Sequence, residues 1–442
     1  PAVHEGGNLL EVCAFARGDV EAALAESAHT VEETFTTQCI EHAFLEPEAC
    51  LAAPKNGRLK VWSQGQGVHD DQRQIAAILG IQNERIEVEL VSNGGAFGGK
   101  EDLSVQGHTA LVAWLLQRPV KTVLTREQSI RIHPKRHPLT LHYSAGCDGG
   151  GRLTAIRADI TGDTGAYASV GAKVLERAAG HSCGPYRVPN VDVVARTVYT
   201  NNPPCGAMRG FGANQAAFAI EGVLDRLAEK VGIDGYDIRE RNVLDPGDLF
   251  ATGQRMNASC GIRATLEAVR ETFKSYPKAG IGCGIKNTGI GNGMADTGRV
   301  AIEVLEAGRI EIFTGYTEMG QGLHTILRQV VSEETGLALE IMDVRTVSSV
   351  EVECGMTTAS RATALCTAAG QIAARQLAGA LETAPLGDLA GRRFKGEYIC
   401  DFTTAPGAAV DEPVTHMAFG YATQVVILDD EGMLAKVVAA HD

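Results

Sequence analysis

The chain lacks paired cysteines. Its eleven stand singly, at Cys13, Cys39, Cys50, Cys147, Cys183, Cys205, Cys260, Cys283, Cys354, Cys366 and Cys400. With no C-x-x-C pair, neither a zinc site nor a cysteine-ligated iron–sulfur cluster is signalled. An odd count without a signal peptide points to reduced thiols in the cytoplasm, most of them serving as small buried hydrophobes. No apolar run approaches the roughly 18 residues of a membrane helix, so no membrane association is expected. Basic charge is also short: 40 Lys and Arg stand against 54 Asp and Glu, a formal charge of −14, which opposes a nucleic-acid role. Neither a Walker lysine motif nor the spacing of a dinucleotide fingerprint occurs. There is no initiator methionine, Pro1 opens an irregular stretch, and "GMLAKVVAAHD" stops straight after a strand-like run. The chain is therefore expected to be a piece of something longer.

What is present suggests an α+β protein. A chain of 442 residues predicts two to four domains. "GDVEAALAESAHTVEETF" reads as a helix with Asp19 as its cap, and "TFTTQCIEHAFLEPEACLAA" as strand. "DDQRQIAAILGI" is a short amphipathic helix ending at Gly80, and "ANQAAFAIEGVLDRLAEKVGI" is the clearest helix. "VKTVLTREQSI" and "VPNVDVVARTVYTNN" read as strands, and "LDPGDLF" carries the strongest breaker signal near the middle. The expected division is 1–255 and 256–442, with a ligand cleft between two domains.

Four loops combine glycine with glutamine, arginine or phenylalanine: "SQGQGVH", "NGGAFGGKE", "GAMRGFGANQ" and "TEMGQGLHT". Glycine-rich backbone exposes N–H groups as donor nests for phosphate or an anionic cofactor, and a phenyl ring held there suits a flat ligand. Each loop taken singly is equally a tight turn, with Phe97 in a core.

Taken together, "GGAFGGKE", "AMRGFGANQAAFAIEGVLDRLA", "RERNVLDPGD" and "TEMGQGLHT" resemble the molybdenum-binding subunit of the xanthine dehydrogenase and aldehyde oxidase family, from about Asn8 onward. The resemblance implies two molybdopterin-binding domains of mixed sheets and helices with the cofactor, in a dinucleotide form, in the cleft between them. It implies a metal held by the pterin dithiolene and by no protein ligand directly.

The resemblance also assigns residues. Gln66 would stand beside the metal as a catalytic and cofactor contact, with Gln64 a close competitor. Ala96, Phe97 and Gly98 would lie against the cofactor, and Phe97 would also pack on the substrate ring. Glu101 and Arg177 would face each other across the substrate, Arg177 stabilising negative charge that grows on the heterocycle. That pair favours a purine or related N-heterocycle over an aldehyde. Arg209 would contact the cofactor and Phe211 the substrate face. Gly320 and Gln321 would serve the pyrophosphate side, and Thr357, Thr358, Ala359 and Ser360 the cofactor and substrate.

Two departures accompany it. Carbon monoxide dehydrogenases of the family carry a cysteine where Gly210 stands, which disfavours that branch. Purine hydroxylases of the animal type place a phenylalanine near "NTGIGNGM", where this chain has Asn292. The implied reaction is hydroxylation of an electron-poor carbon with water as oxygen donor, at a metal carrying a sulfido or selenido ligand. Electrons would leave through [2Fe-2S] clusters and FAD on other domains or subunits. The family's catalytic glutamate lies in a "GVGE"-like loop that does not occur here, so the chain alone is expected to be inactive until another polypeptide supplies it. A nicotinate- or aldehyde-oxidising enzyme and a noncatalytic cofactor-binding or assembly module are the alternatives.

Overall fold

The computed structural model describes residues 2–306 and 308–442. It separates into two compact units, each discontinuous in sequence: 1–40 with 135–294 and 402–442, and 41–134 with 295–401.

The first unit is built on a five-stranded sheet. Its strands run in the order Leu9–Arg17, Asn190–Val198, Leu153–Asp163, Leu139–Cys147 and His29–Thr36. Leu153–Asp163 and Asn190–Val198 pair in parallel, and the other neighbours are antiparallel. Asn190–Val198 alternates buried and part-exposed residues along its whole length, as a strand covered on one face should. Helices Gly171–Gly180 and Ala213–Val231 pack on this sheet. The longer one buries Ala216, Ile220, Val223, Leu224 and Leu227, a 3.6-residue stripe that ends at the left-handed cap Gly232. It also reaches the three-stranded antiparallel sheet Ala279–Thr288, Ala418–Leu428 and Leu434–His441.

A buried ion network ties that helix down. Arg239 is 0% exposed. It donates from Nε to Glu221 (2.8 Å) and from Nη1 to Asp225 (2.9 Å) and the Gly235 carbonyl (2.8 Å). Glu221 also accepts from the Tyr186 hydroxyl and the Cys283 N–H, so one carboxylate joins three elements.

The second unit holds two four-stranded mixed sheets. The first runs Ile86–Leu90, Arg58–Ser63, Ala49–Lys55 and Val120–Val123, and carries helices Val68–Leu79 and Gln106–Leu116. The second runs Met342–Arg345, Ile310–Thr314, Asp296–Val304 and Arg393–Cys400, and carries Leu323–Thr335 and Ala362–Leu381. Backbone bonds Leu90 N–H to Thr346 and Ser348 N–H to Val88 join the two sheets.

The Asp19 cap accepts from the Ala22 N–H, and the helix ending at Gly80 is in place. Nine cysteines are buried, Cys13 is half-buried and Cys39 exposed. Three stretches differ from their sequence reading. "GDVEAALAESAHTVEETF" is helix only for Val20–Glu26, and His29–Thr36 is a strand because it pairs with Leu139–Cys147. "TFTTQCIEHAFLEPEACLAA" is strand only at its ends, with 37–48 irregular. "VKTVLTREQSI" is strand for Val120–Val123 and then helix Arg126–Ile132, because Thr125 and Gln128 form a reciprocal capping box. "LDPGDLF" lies inside the first compact unit, with Leu244 and Phe250 fully buried in its core.

Replacing Arg239 with Met would leave the largely buried Glu221 without its cation, while Asp225, with a side chain 57% exposed, would turn to solvent. The expected loss is about 3–5 kcal/mol of unfolding free energy. Urea denaturation of Arg239→Met checks it; a loss below about 1 kcal/mol would show the pair acting like an exposed one.

Candidate functional site

In the second unit one side chain gathers the nominated loops. Gln66 follows strand Arg58–Ser63 and precedes helix Val68–Leu79. Its Oε1 accepts the N–H groups of Gly98 (3.0 Å) and Lys100 (3.2 Å), while Nε2 donates to the Thr357 carbonyl (2.8 Å). Its own N–H donates to Lys100 O (3.0 Å), and its carbonyl accepts from the Thr357 N–H (2.7 Å). A carboxamide nitrogen carries two hydrogens, and Thr357 takes one; the other is the donor a ligand can receive. Gln64 does different work: Oε1 accepts from the Ala49 N–H (3.0 Å), and its carbonyl accepts from Asn93 Nδ2 (2.7 Å).

The glycines beside Phe97 have protein neighbours to admit. A Cβ on Gly94 would lie 2.6 Å from Glu46 Cβ, and one on Gly99 2.9 Å from the His42 ring. Phe97 itself takes a left-handed φ of 56° and is 42% exposed, an uncommon conformation for a bulky residue and a large exposure for a phenyl ring. Ala96 beneath it is fully buried. Lys100 donates to Glu46 O (3.0 Å) and Asn93 Oδ1 (2.9 Å), and burial lowers its ammonium to about 8. Burial pushes the Glu101 carboxyl up to about 8, against a hydrogen bond with Thr358 that lowers it. At neutral pH Glu101 is therefore chiefly an acid, able to donate.

The Thr317–Leu323 loop supports itself. Burial raises the Glu318 carboxyl, but the N–H groups of His324 (3.0 Å), Gly322 (3.0 Å) and Gly320 (2.8 Å) outweigh it and hold the group below its ordinary value. Gln321 accepts from the Met319 N–H (2.7 Å) and donates to Thr317 O (2.8 Å). Thr357 Oγ1 accepts from the Thr317 N–H (2.7 Å), which joins this loop to the Gln66 cluster. Ala359 and Ser360 have φ of 54° and 53°, immediately before helix Ala362–Leu381. Arg361 is locked there by Asp296 (2.6 Å) and the carbonyls of Cys354 (3.0 Å) and Met356 (2.7 Å). A left-handed pair feeding a helix N-terminus aims backbone N–H groups into one concavity, a donor set that fits the pyrophosphate of an anionic cofactor.

In the first unit Arg177, 4% exposed, lies in helix Gly171–Gly180 and donates to the Ile290 carbonyl (2.6 Å). Its neighbour Glu176 accepts from Asn292 Nδ2 (2.6 Å), and the Asn292 N–H donates to Thr415 O (2.7 Å), so 290–292 is clamped to the arginine helix. Burial lowers Lys286 to about 7, and Arg177 pushes the same way. His181 and His416 are held well below their ordinary range by burial, with Arg177 and Lys286 adding repulsion. Sequence reasoning passed over these three groups, which no spacing connects.

Phe211, with φ of 51°, sits half-buried between Gly210 and Gly212. A Cβ on Gly212 would stand 2.2 Å from Val174 O, so only glycine lets this loop rest on the arginine helix. Arg209 is exposed, and its carbonyl accepts from Arg136 Nη2 (2.7 Å). His416 also lines a cavity of about 560 Å³ with Arg17, Gln254 and Arg255, and none of the nominated residues faces it.

The second unit thus gathers Gln66, Ala96, Phe97, Gly98, Glu101, Gly320, Gln321 and 357–360; the first holds Arg177, Arg209 and Phe211. Among the described residues, nine non-glycines have positive φ, and five of them, Phe97, Phe211, Asn292, Ala359 and Ser360, fall at positions the sequence singled out. Such strain concentrates at functional sites.

Comparison with known proteins bears on the family and the fold. Models of the molybdopterin cofactor-binding domain match residues 3–243 and 255–388. The nicotinate dehydrogenase large molybdopterin subunit of Eubacterium barkeri is 44% identical over 272 residues, 61% of this chain and 64% of that protein. A probable xanthine dehydrogenase subunit of Bacillus subtilis is 36% identical over 375 residues, 82% of this chain and 50% of that protein. The aldehyde oxidoreductase of Desulfovibrio gigas superposes with a TM-score of 0.90 at 23% identity, over 99% of this chain and 52% of its own, a likeness of fold. The chain spans between 50% and 64% of the length of these relatives.

Glu101 gives a pH dependence. The folded carboxyl holds its proton up to about 8, whereas an unperturbed one releases it near 4.5. Between those values the folded state binds more protons, so its contribution is full below 4.5 and is lost as pH rises toward 8. Asp71, raised by burial to about 7, acts in the same sense. Unfolding free energy of Glu101→Gln should therefore fall less steeply with pH than the parent's, by up to about 1.4 kcal/mol per pH unit. Parallel urea titrations across this range check it; superimposable slopes would contradict it.

Proposed function

Because the chain belongs to the molybdopterin cofactor-binding family of the xanthine dehydrogenase type, we propose that it forms the cofactor-holding part of a molybdenum hydroxylase that oxidises an N-heterocycle, a purine first. The observation that carries the heterocycle reading is the buried Arg177, backed by Lys286 and clamped through Ile290. A fixed buried cation stabilises negative charge on a ring far better than an exposed one, because no solvent must reorganise.

The cofactor, in its dinucleotide form, supplies the oxygen transfer and the two-electron step. This chain's part is positional. With the cofactor bound, the second Gln66 Nε2 hydrogen would be available to the metal's ligands, and its other bonds hold the carboxamide in place. Phe97 and Phe211 offer ring faces to the heterocycle, and protonated Glu101 donates to a ring nitrogen or carbonyl. The 357–360 segment and Gly320 offer N–H groups to the pyrophosphate, and Gln321 braces their loop. Arg209 serves as an outer cofactor contact. Segments 1–255 and 256–442 act as the two molybdopterin-binding domains.

The general base is placed outside this chain. Glu318 is engaged by three N–H groups, and Glu101 is chiefly protonated at neutral pH. The rest of the relatives' length would supply it, and [2Fe-2S] and FAD domains or subunits would take the electrons.

A second reading, a nicotinate-type substrate, is favoured by the 44% identity to the Eubacterium barkeri protein and by Asn292 in place of an aromatic.

The test is to purify the chain with and without its co-expressed neighbouring polypeptides and to measure molybdenum content and dye reduction with xanthine and nicotinate. The complex is expected to turn over and the isolated chain to be inactive. Arg177→Leu should lose about 100-fold or more in kcat with molybdenum retained. Unchanged kcat in Arg177→Leu sinks the heterocycle role, turnover by the isolated chain sinks the external base, and nicotinate turnover without xanthine turnover selects the second reading. Cofactor bound with no turnover in any complex selects a noncatalytic module.

A further inference from the structure

Behind the Phe97 loop, two histidines and two glutamates converge in the second unit. Glu41 and His42 lie in the irregular segment 41–48, and His133 ends helix Arg126–Ile132. Glu41 Oε1 stands 2.8 Å from His133 Nε2, and His42 Nδ1 stands 3.2 Å from the same nitrogen. One ligand atom from each of the three lies within 4.8 Å of the others. Ligands about 2.1 Å from a tetrahedral zinc ion are about 3.4 Å apart, so the cluster needs only a small expansion to accept one.

The proton arithmetic points the same way. His133 Nδ1 is 2.6 Å from the Ser129 carbonyl, which can only accept, so Nδ1 carries a hydrogen. Nε2, the other ring nitrogen, faces a Glu41 carboxylate oxygen 2.8 Å away. A histidine presenting Nε2 while its Nδ1–H is held by a carbonyl or carboxylate is also the arrangement that orients an imidazole on a metal.

Glu48 is the independent observation. It is 2% exposed, both carboxylate oxygens lack a hydrogen-bond partner among the described residues, and Oε1 lies 3.4 Å from His133 Nδ1. A buried carboxylate without hydrogen bonds is costly, and the Lys100 ammonium, which feels its charge, offsets this only through space.

We propose that Glu41, His42 and His133 bind a divalent cation of the zinc class, with Glu48 a positioning residue behind His133. Two imidazole nitrogens and one carboxylate, with a fourth position for water, form a donor set suited to zinc rather than to magnesium or calcium. The ion pins segment 41–48 to the end of helix Arg126–Ile132. Because the His42 ring rests on Gly99, it also fixes the back of the loop that carries Phe97. The proposal does not rest on the substrate reading.

The experiment uses the purified chain and its complex, stripped with chelator and titrated with zinc, then with cobalt(II) as a spectroscopic probe. The expected result is a single zinc equivalent surviving gel filtration, a higher Tm on zinc addition, and visible d–d absorption typical of tetrahedral cobalt. His42→Gln and His133→Gln should each abolish that absorption. Glu48→Gln should keep it while weakening affinity about 10- to 100-fold, a change that lost packing alone would not produce. Glu127→Gln, on the exposed face of the same helix and paired only with Arg131, serves as the control and should bind like the parent. If a histidine variant fails to fold, the parent decides alone. Folded parent that takes up no zinc, and whose Tm does not respond to it, overturns the proposal.

Discussion

The carboxamide of Gln66 is the constraint on which the second unit's loops depend. Three segments far apart in sequence, around residues 66, 98–100 and 357, have no regular secondary structure to hold them. Five hydrogen bonds at one residue do so instead. Each is worth about 1 kcal/mol net, but leaving a buried amide unsatisfied costs more, so the set behaves as a single latch. Through Thr357 and Thr317 it extends to the Glu318 loop, where a carboxylate takes three N–H groups. The loops are thus organised by protein before any ligand arrives, which lowers the ordering cost of binding.

The first unit solves a different problem. There the fixed object is a cation, Arg177, and the surroundings are tuned so that its neighbours do not add uncontrolled charge. Burial drives His181 and His416 to neutrality and brings Lys286 near neutral pH, while Arg177 keeps its charge because guanidinium deprotonates only at far higher pH. Polar bonds to Ile290, and through Glu176 to Asn292, fix the helix end against the neighbouring loop. Glu101 in the second unit is shifted by the same physics in the opposite electrical sense: burial alone converts a carboxylate into a donor. Both shifts come from desolvation, so they belong to the folded units and need no ligand.

What was legible in the sequence was local. Asp19, Gly80 and the apolar stripe of Ala213–Val231 mark their elements by capping and periodicity, signals that survive in any context. The glycine loops and the residues carried by family resemblance were legible as motifs. What escaped was what only tertiary structure decides. The Thr125–Gln128 box overrode a β-rich composition. Segment 37–48 reads as strand from its residue types, yet its side chains bend inward to meet Gly99 and His133 rather than a neighbouring strand. Glu41, His42 and His133 could not be connected by spacing, since 91 positions separate the histidines. Two glycines of "GGAFGGKE", read as openings for a ligand, are explained by Glu46 and His42.

Strain explains why these features occur together. A left-handed non-glycine residue costs on the order of 1–3 kcal/mol, so Phe97, Phe211, Asn292, Ala359 and Ser360 together oppose folding by an amount comparable with the net stability of a domain. A chain selected only to fold would have replaced them with glycine. Phe97 and Phe211 instead hold phenyl rings in that conformation, Phe211 between two glycines and Phe97 between Ala96 and Gly98. Their retention is intelligible if the ring must point somewhere other than the core, and the 42% exposure of Phe97 is that outcome. The buried bonds of Gln66 and Arg361 on one unit, and of Arg177 on the other, over-determine the backbone on either side of the strained residues. The polar latch and the strained aromatic are therefore one device: neither conformation persists without the first, and the first would have little to hold without the second.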